Sequence, residues 1–384
     1  MDIGIDVFLE EYIERYKGKK VGLVTNLTGV NKDMESTIDL LFNHPDIQLT
    51  NLYAPEHGIR GDAREGEKFE TTIDDVTNLP VHSLYGETRK PTENMLKDID
   101  VMVFDIQDIG SRYYTYIYTM AYVMEACSEF NKEVIVLDRP NPISGLKREG
   151  NLVNINYTSF VGLLPIPNRH GLTIGELAIL FKNEFNYDCN LTVVPLKGWK
   201  RSMYYDKTDL FWIPPSPNTT TIDMCILYAG TCLFEGTNLS EGRGTTQPFE
   251  IIGAPYINSF ELAEQFNSKN IDGVIARPVF FNPTYQKYKN EQCQGVQLHI
   301  TNRDKIEPLK VTINLMADIA MLYPESFEFR KETPSGKSFF DLLAGNSTLR
   351  QQILKDDRES YLEEAEEQLI SFERLVQPYL LYEN

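Results

Sequence analysis

Pro55-Glu56-His57-Gly58 sets a carboxylic acid beside an imidazole, with a proline before and a glycine after to fix the chain. Partial burial raises a carboxyl pKa and a neighbouring imidazole can orient the group, so the pair suits a proton donor. Glu56 is the candidate acid and His57 its companion. An isolated Glu-His pair would more simply close a surface loop. This pair, however, directly follows an apolar run ending at Tyr53, and open α/β sheets bind ligands outside the carboxyl ends of their strands. Two further runs end in the same way. Val101–Phe104 leads into Asp105-Ile106-Gln107-Asp108-Ile109-Gly110-Ser111-Arg112-Tyr113-Tyr114, and Val134–Leu137 into Asp138-Arg139-Pro140-Asn141-Pro142. Three strand ends that aim carboxylates and arginines at one sheet edge mark a cleft. Arg60, Asp105, Asp108, Arg112, Arg139 and Asn141 are its candidate binding residues. Asp105 and Asp108 could hold substrate hydroxyls, coordinate a cation, or cap the helix that begins near Tyr113. Tyr114, Tyr118 and Tyr122, four residues apart, read as packing residues.

A second polar cluster, Glu235-Gly236-Thr237-Asn238-Leu239-Ser240-Glu241-Gly242-Arg243-Gly244-Thr245-Thr246, joins two carboxylates and an arginine to glycines that permit close backbone approach to a ligand. Glu235, Glu241, Asn238 and Arg243 enter the candidate site from here. The cluster lacks the lysine of a phosphate-binding P-loop, and Gly22 to Gly29 has no dinucleotide fingerprint, so nicotinamide and flavin are disfavoured and no cofactor is expected. His44, His82 and His299 are scattered without metal-ligand spacing and no metal is expected, whereas His170 directly precedes a helix start and is a candidate cleft residue.

These residues need a scaffold. Residues Val7 to Tyr16 form an apolar helical face, Lys20 to Thr25 a strand, Ser36 to Phe42 a helix and Ile47 to Tyr53 a strand. Strands near Val81–Leu84, Val101–Phe104 and Val134–Leu137 follow, with a helix over Tyr113–Phe130 between the last two. The alternation predicts an α/β fold whose parallel sheet is covered by helices on both faces. Thr173-Ile174-Gly175-Glu176 is a capping box that opens a helix to about Phe185, and Pro214-Pro215-Ser216-Pro217-Asn218 must be a rigid loop. Beyond Gly253 come a helix near Phe260–Phe266, strands near Val274–Phe281 and Val296–Thr301, and mostly helical sequence. A chain of 384 residues exceeds one ordinary core, so we expect two domains, residues 1–255 and a smaller α/β domain of residues 256–384. The apolar face of the last helix, Leu362 to Val376, is expected to dock on its own domain.

Bulk charge narrows the partners. With 37 basic against 56 acidic side chains the net charge is −19, which disfavours nucleic acid and anionic membranes as partners. No run of eighteen apolar residues and no signal segment is visible, so the chain as given is expected to be cytoplasmic, or secreted if it is a trimmed mature form. Five cysteines without a Cys-x-x-Cys pair read as reduced core residues.

The ordered motifs named above, with Gly4-Ile5-Asp6 and Gly22-Leu23-Val24-Thr25-Asn26, resemble those of the NamZ-like exo-β-N-acetylmuramidases, also known as YbbC-like proteins, along nearly the whole chain. The resemblance implies a Rossmann-like N-terminal domain bearing the active site, a smaller C-terminal domain completing the cleft, and removal of N-acetylmuramic acid (MurNAc) from the non-reducing end of peptidoglycan fragments during cell wall recycling. It also implies that the Glu of Pro-Glu-His-Gly, here Glu56, is catalytic. Glycoside hydrolysis normally needs two carboxyl groups, one protonated and one ionised. Glu235 and Glu241 are candidates for the second, with Asp105 and Asp108 behind them, although the N-acetyl group of the sugar could act as an internal nucleophile instead. The lactyl carboxylate of MurNAc calls for an arginine fork, from Arg60, Arg112, Arg139 or Arg243. Two other functions fit the same residues: a hydrolase or phosphotransferase with Asp105, Asp108 and Asp138 around magnesium, and a muropeptide sensor without turnover.

Overall fold

A computed structural model describes residues 1–56, 58–61, 71–86, 88–333, 336–355 and 357–384. The first sheet has seven strands: β1 (Lys20–Thr25), β2 (Gln48–Ala54), β3 (Thr72–Ile73), β4 (Pro80–Ser83), β5 (Val101–Asp105), β6 (Glu133–Leu137) and β7 (Asn190–Val194). Their order is β3-β4-β2-β1-β5-β6-β7, parallel throughout except for β3, which runs antiparallel to β4. β5 is buried along its whole length, as the apolar run Val101–Phe104 predicts for all but Asp105 at its end. One face is covered by the helices Tyr116–Glu129 and Ile174–Glu184, the other by the N-terminal helical stretch and the helix Thr37–Phe42, with a separate apolar core on each side. The capping box forms as expected: Thr173 Oγ1 accepts from the Glu176 amide and the Glu176 carboxylate from the Thr173 amide.

From β1 the chain builds outward through β2 and β4, then returns to place β5 on the other side of β1. The carboxyl ends of β1 and β5 therefore flank the switch point at which such sheets bind ligands. Thr25 and Asp105 are paired there in register, and the Thr25 hydroxyl donates to the Asp105 carbonyl at 2.9 Å.

A smaller antiparallel sheet follows, β8 (Ile251–Ala254), β9 (Val274–Phe281) and β10 (Cys293–Ile300), in the order β8-β10-β9. Its core takes in the helices Ile222–Thr231 and Pro308–Leu322. The break expected after residue 255 thus falls inside this unit, because β8 already pairs with β10 and the Ile222–Thr231 helix packs in the same core. The helix Arg358–Val376 also departs from expectation. Tyr361 enters the core of the second sheet while Phe372 and Val376 enter that of the first, so the helix straps the two together. Among the described residues no helix is long and apolar enough to cross a membrane.

Candidate active site

Glu56 stands two residues past the end of β2, half-buried. Its backbone is held by Tyr116, the first residue of the Tyr116–Glu129 helix, whose hydroxyl lies 3.2 Å from the Glu56 carbonyl and 3.0 Å from that of Pro215. Glu56 and the proline-rich loop are thereby tied to one point at the switch region. His57 lies outside the described residues. Three polar atoms on the residues that follow β1 and β5 are buried with no hydrogen-bond partner among the described residues: Asn26 Nδ2, Gln107 Oε1 and Asp108 Oδ1. Buried polar groups are normally satisfied, and donors and acceptors left over at a switch point suit the hydroxyls of a polar ligand.

The remaining candidates from the strand ends are engaged with the protein itself. Arg139 grips Asp105 at two points, and the Thr37 hydroxyl adds a third bond to that carboxylate at 2.5 Å. Arg112 is fully buried and donates to the carbonyls of Asn151, Ile166, Leu343 and Ala344. Asn141 donates to the Leu172 carbonyl and accepts from the Ile143 amide. Asn238 bonds the Ser326 carbonyl, the Glu328 amide and the Tyr256 hydroxyl. His170, also fully buried, sets Nε2 3.1 Å from Asp108 Oδ2 and accepts the Leu172 amide on Nδ1. Asp108 accepts the Gly110 amide at 2.7 Å and does not cap the helix, whose N-cap is Thr115. Arg60 holds Asp74 through two bonds of 3.0 Å yet keeps 37% side-chain exposure, the highest of the four candidate arginines.

The magnesium arrangement does not form. Asp105 is taken by Arg139 and Thr37, whereas Asp138 faces Thr173, the Gly175 amide and Tyr382, and the described residues contain no group of three His, Cys, Asp or Glu placed to hold a metal. Burial pushes the Asp138 carboxyl up to about 7 against the hydrogen bonds from Tyr382, Gly175 and Thr173.

The second polar cluster is held together by its own ion pairs. Arg243 Nε and Nη2 lie 2.9 and 2.6 Å from Glu235 Oε1, and its Nε lies 3.6 Å from Glu241. Burial pushes the Glu235 carboxyl up, and Arg243 opposes the rise. The glycines expected to admit a ligand admit the protein's own chain: a Cβ on Gly244 would lie 2.8 Å from the Thr284 and Tyr285 amides. That packing brings in the β9–β10 loop, whose Tyr285 hydroxyl donates to Asn218 Oδ1 at 3.1 Å. Asn218 belongs to the loop whose Pro215 carbonyl meets Tyr116, so Glu56 and the Glu235 cluster are joined through a continuous run of contacts. Sequence reasoning misses Asn26, Tyr116, Tyr285 and Lys287, whose ammonium lies 2.9 Å from the Glu241 carboxylate. The strand-end rule would have found Asn26, which follows β1 as Glu56 follows β2.

Residues 21–223 match the N-terminal model, and residues 226–382 the C-terminal model, of the exo-β-N-acetylmuramidase NamZ family. The peptidoglycan β-N-acetylmuramidase NamZ of Bacillus subtilis (strain 168) is 50% identical over 380 residues, which cover 99% of this chain and 91% of the relative. Crystal structures of two DUF1343 family proteins from Bacteroides fragilis NCTC 9343 align over 100% of this chain and 99% of theirs. Their TM-scores are 0.93 and 0.79, at 43% and 31% identity. Matched along both of its halves, the chain belongs to the exo-β-N-acetylmuramidase NamZ family.

Proposed function

We propose that the protein is an exo-β-N-acetylmuramidase that releases terminal MurNAc from the non-reducing end of peptidoglycan fragments such as MurNAc-GlcNAc, with Glu56 as general acid. The observation that carries this reading is the place of Glu56, past β2 and beside the switch point with its unpartnered polar atoms, in a chain of this family. The acid protonates the glycosidic oxygen as the bond to the sugar breaks. For the ionised partner, the surroundings favour Glu235 over Glu241. Glu235 keeps 20% side-chain exposure beside Arg243, whereas Glu241 is enclosed at 4% between Arg243 and Lys287. The buried Asp105 is committed to Arg139, and Asp108 to His170. The lactyl carboxylate falls to Arg60, the most accessible of the four arginines and close in sequence to Glu56.

The test is release of MurNAc from MurNAc-GlcNAc, run beside a GlcNAc-terminated control. The wild type should cleave the first only, and Glu56→Gln should still bind it while turnover falls by a factor on the order of 10² to 10⁴. Cleavage of the control alone would sink the muramidase reading. A wild type that binds the disaccharide and never cleaves it would instead be a sensor.

A further inference from the structure

Lys287 lies in the β9–β10 loop, about one-fifth exposed, and points its ammonium at the Phe234–Glu241 segment. Its Nζ lies 3.0 Å from the Phe234 carbonyl, 2.8 Å from that of Leu239 and 2.9 Å from the Glu241 carboxylate, with the Glu235 carbonyl at 3.5 Å. An ammonium has three protons to donate, and here they go to both ends of the segment that carries Glu235. The loop holds the lysine firmly in turn. The Thr284 amide and hydroxyl both lie 2.9 Å from the Gly244 carbonyl, and the residues flanking Lys287, Gln286 and Tyr288, have φ of 65° and 57°. Non-glycine residues keep such angles only where their surroundings over-determine the chain.

We infer that Lys287 is a positioning residue for the hydrolytic step, fastening the Phe234–Glu241 segment so that the Glu235 carboxylate stays in place, and joining Arg243 in the positive charge that opposes Glu241. The inference rests on the reading of Glu235 as the ionised partner. Charge supports the geometry. Glu235 faces Arg243, Glu241 and Lys287, together with Tyr228 and Cys232 from the preceding helix and turn and Arg330, whose guanidinium approaches its carbonyl. Burial pushes its carboxyl up and Arg243 pulls it down; Glu241 adds to the rise and Lys287 to the fall. Without Lys287, Glu235 would ionise at higher pH.

The pH dependence of kcat on MurNAc-GlcNAc tests this in the full chain. In Lys287→Met the acidic limb should move to higher pH and the plateau kcat should fall about tenfold or more, while KM changes less than about threefold. Lys287→Gln keeps two donors for the carbonyls and loses the charge, so its limb should move even where Lys287→Met folds poorly. Lys287→Arg restores the charge and should return the limb to its wild-type position. Unmoved limbs in Lys287→Met and Lys287→Gln, with only a lowered Tm, would make the lysine a structural clamp and overturn the inference. Glu235→Gln in the same assay separates the two ideas. Wild-type turnover in that variant would overturn the Glu235 reading and this inference with it, whereas lost turnover there beside unmoved Lys287 limbs overturns the inference alone.

Discussion

Arg139 and Asp105 form a two-point ion pair inside the protein, Nε to Oδ1 at 2.6 Å and Nη2 to Oδ2 at 2.9 Å, with side chains 4% and 0% exposed. The pair joins the last residue of β5 to the second residue after β6, and Thr37 ties the same carboxylate to a helix on the opposite face. It acts as a strut between the carboxyl ends of the two strands. Removing one member of a buried pair leaves the other charge uncompensated, at a cost of about 3–5 kcal/mol. Arg139→Met should therefore lower the urea midpoint sharply while native protein keeps its KM. A raised KM with unchanged stability would instead make Arg139 a substrate ligand.

Arg112 plays a different structural part, because its carbonyl partners come from both units: Asn151 and Ile166 from the first, Leu343 and Ala344 from the second. Replacement by Met keeps much of the volume and takes the Arg112 donors from the other three carbonyls, while that of Ala344 keeps the Asn151 side-chain amide, at about 1–3 kcal/mol for each one that stays unsatisfied. Amide exchange in the Phe339–Ala344 helix should accelerate in Arg112→Met relative to the centre of β5. Equal protection in variant and wild type would show that the second unit does not depend on this clamp.

Glu149 adds a pH-sensitive tie between the units. Its Oε1 accepts the Leu309 and Lys310 amides, at 2.8 and 3.1 Å, at the start of the Pro308–Leu322 helix. Burial pushes its carboxyl up to about 7 against those bonds and Arg169, from an ordinary value of 4.5. Between those values the folded state keeps a proton that the unfolded chain has lost, so stability is full below about pH 4.5 and falls as pH rises through about 7. Glu149→Gln keeps an acceptor oxygen and cannot ionise. It should remove on the order of 1–3 kcal/mol of the loss over that window, read from urea midpoints against pH. The flattening will be partial, since the Asp138 carboxyl, also raised to about 7, contributes with the same sign. An unchanged slope would show that Glu149 is not one of the groups responsible.

What is legible in the sequence follows from how local each signal is. β1, β5 and β6 are each built on a short, mostly apolar run, and the Thr173–Glu176 capping box spans four residues, so a short window contains each of them whole. β7 is an edge strand of mostly half-exposed residues without clean alternation, and it escapes such a window. β8 is only four residues long and acquires its meaning from β10, some forty residues later, which is why the sequence alone puts the domain break too late. The same contrast holds at the site. Strand ends announce Glu56, Asp105 and Arg139, but nothing in the sequence pairs Arg139 with Asp105, or sends Arg112 to carbonyls more than two hundred residues away. Lys287 is the extreme case, an ordinary lysine in a polar loop until folding sets it against Glu241.

Gly244 tests whether that loop matters to the reaction. It has φ of 82°, and a Cβ there would lie 2.8 Å from the amides of Thr284 and Tyr285 and from the Tyr285 carbonyl, so Gly244→Ala must push the β9–β10 loop off the Arg243 turn. The left-handed backbone alone costs a non-glycine residue about 1 kcal/mol or more, which confuses a simple comparison with wild type. Gly18 supplies the control, because it has a similar φ of 72° and open space where its Cβ would be. Both substitutions carry the backbone cost, and only one displaces the loop that carries Lys287 and Tyr285. Gly244→Ala should lower kcat/KM about tenfold beyond Gly18→Ala at comparable loss of Tm, as expected when supporting residues shift a carboxylate by a fraction of an ångström. Equal activity in the two variants would separate the β9–β10 loop from catalysis.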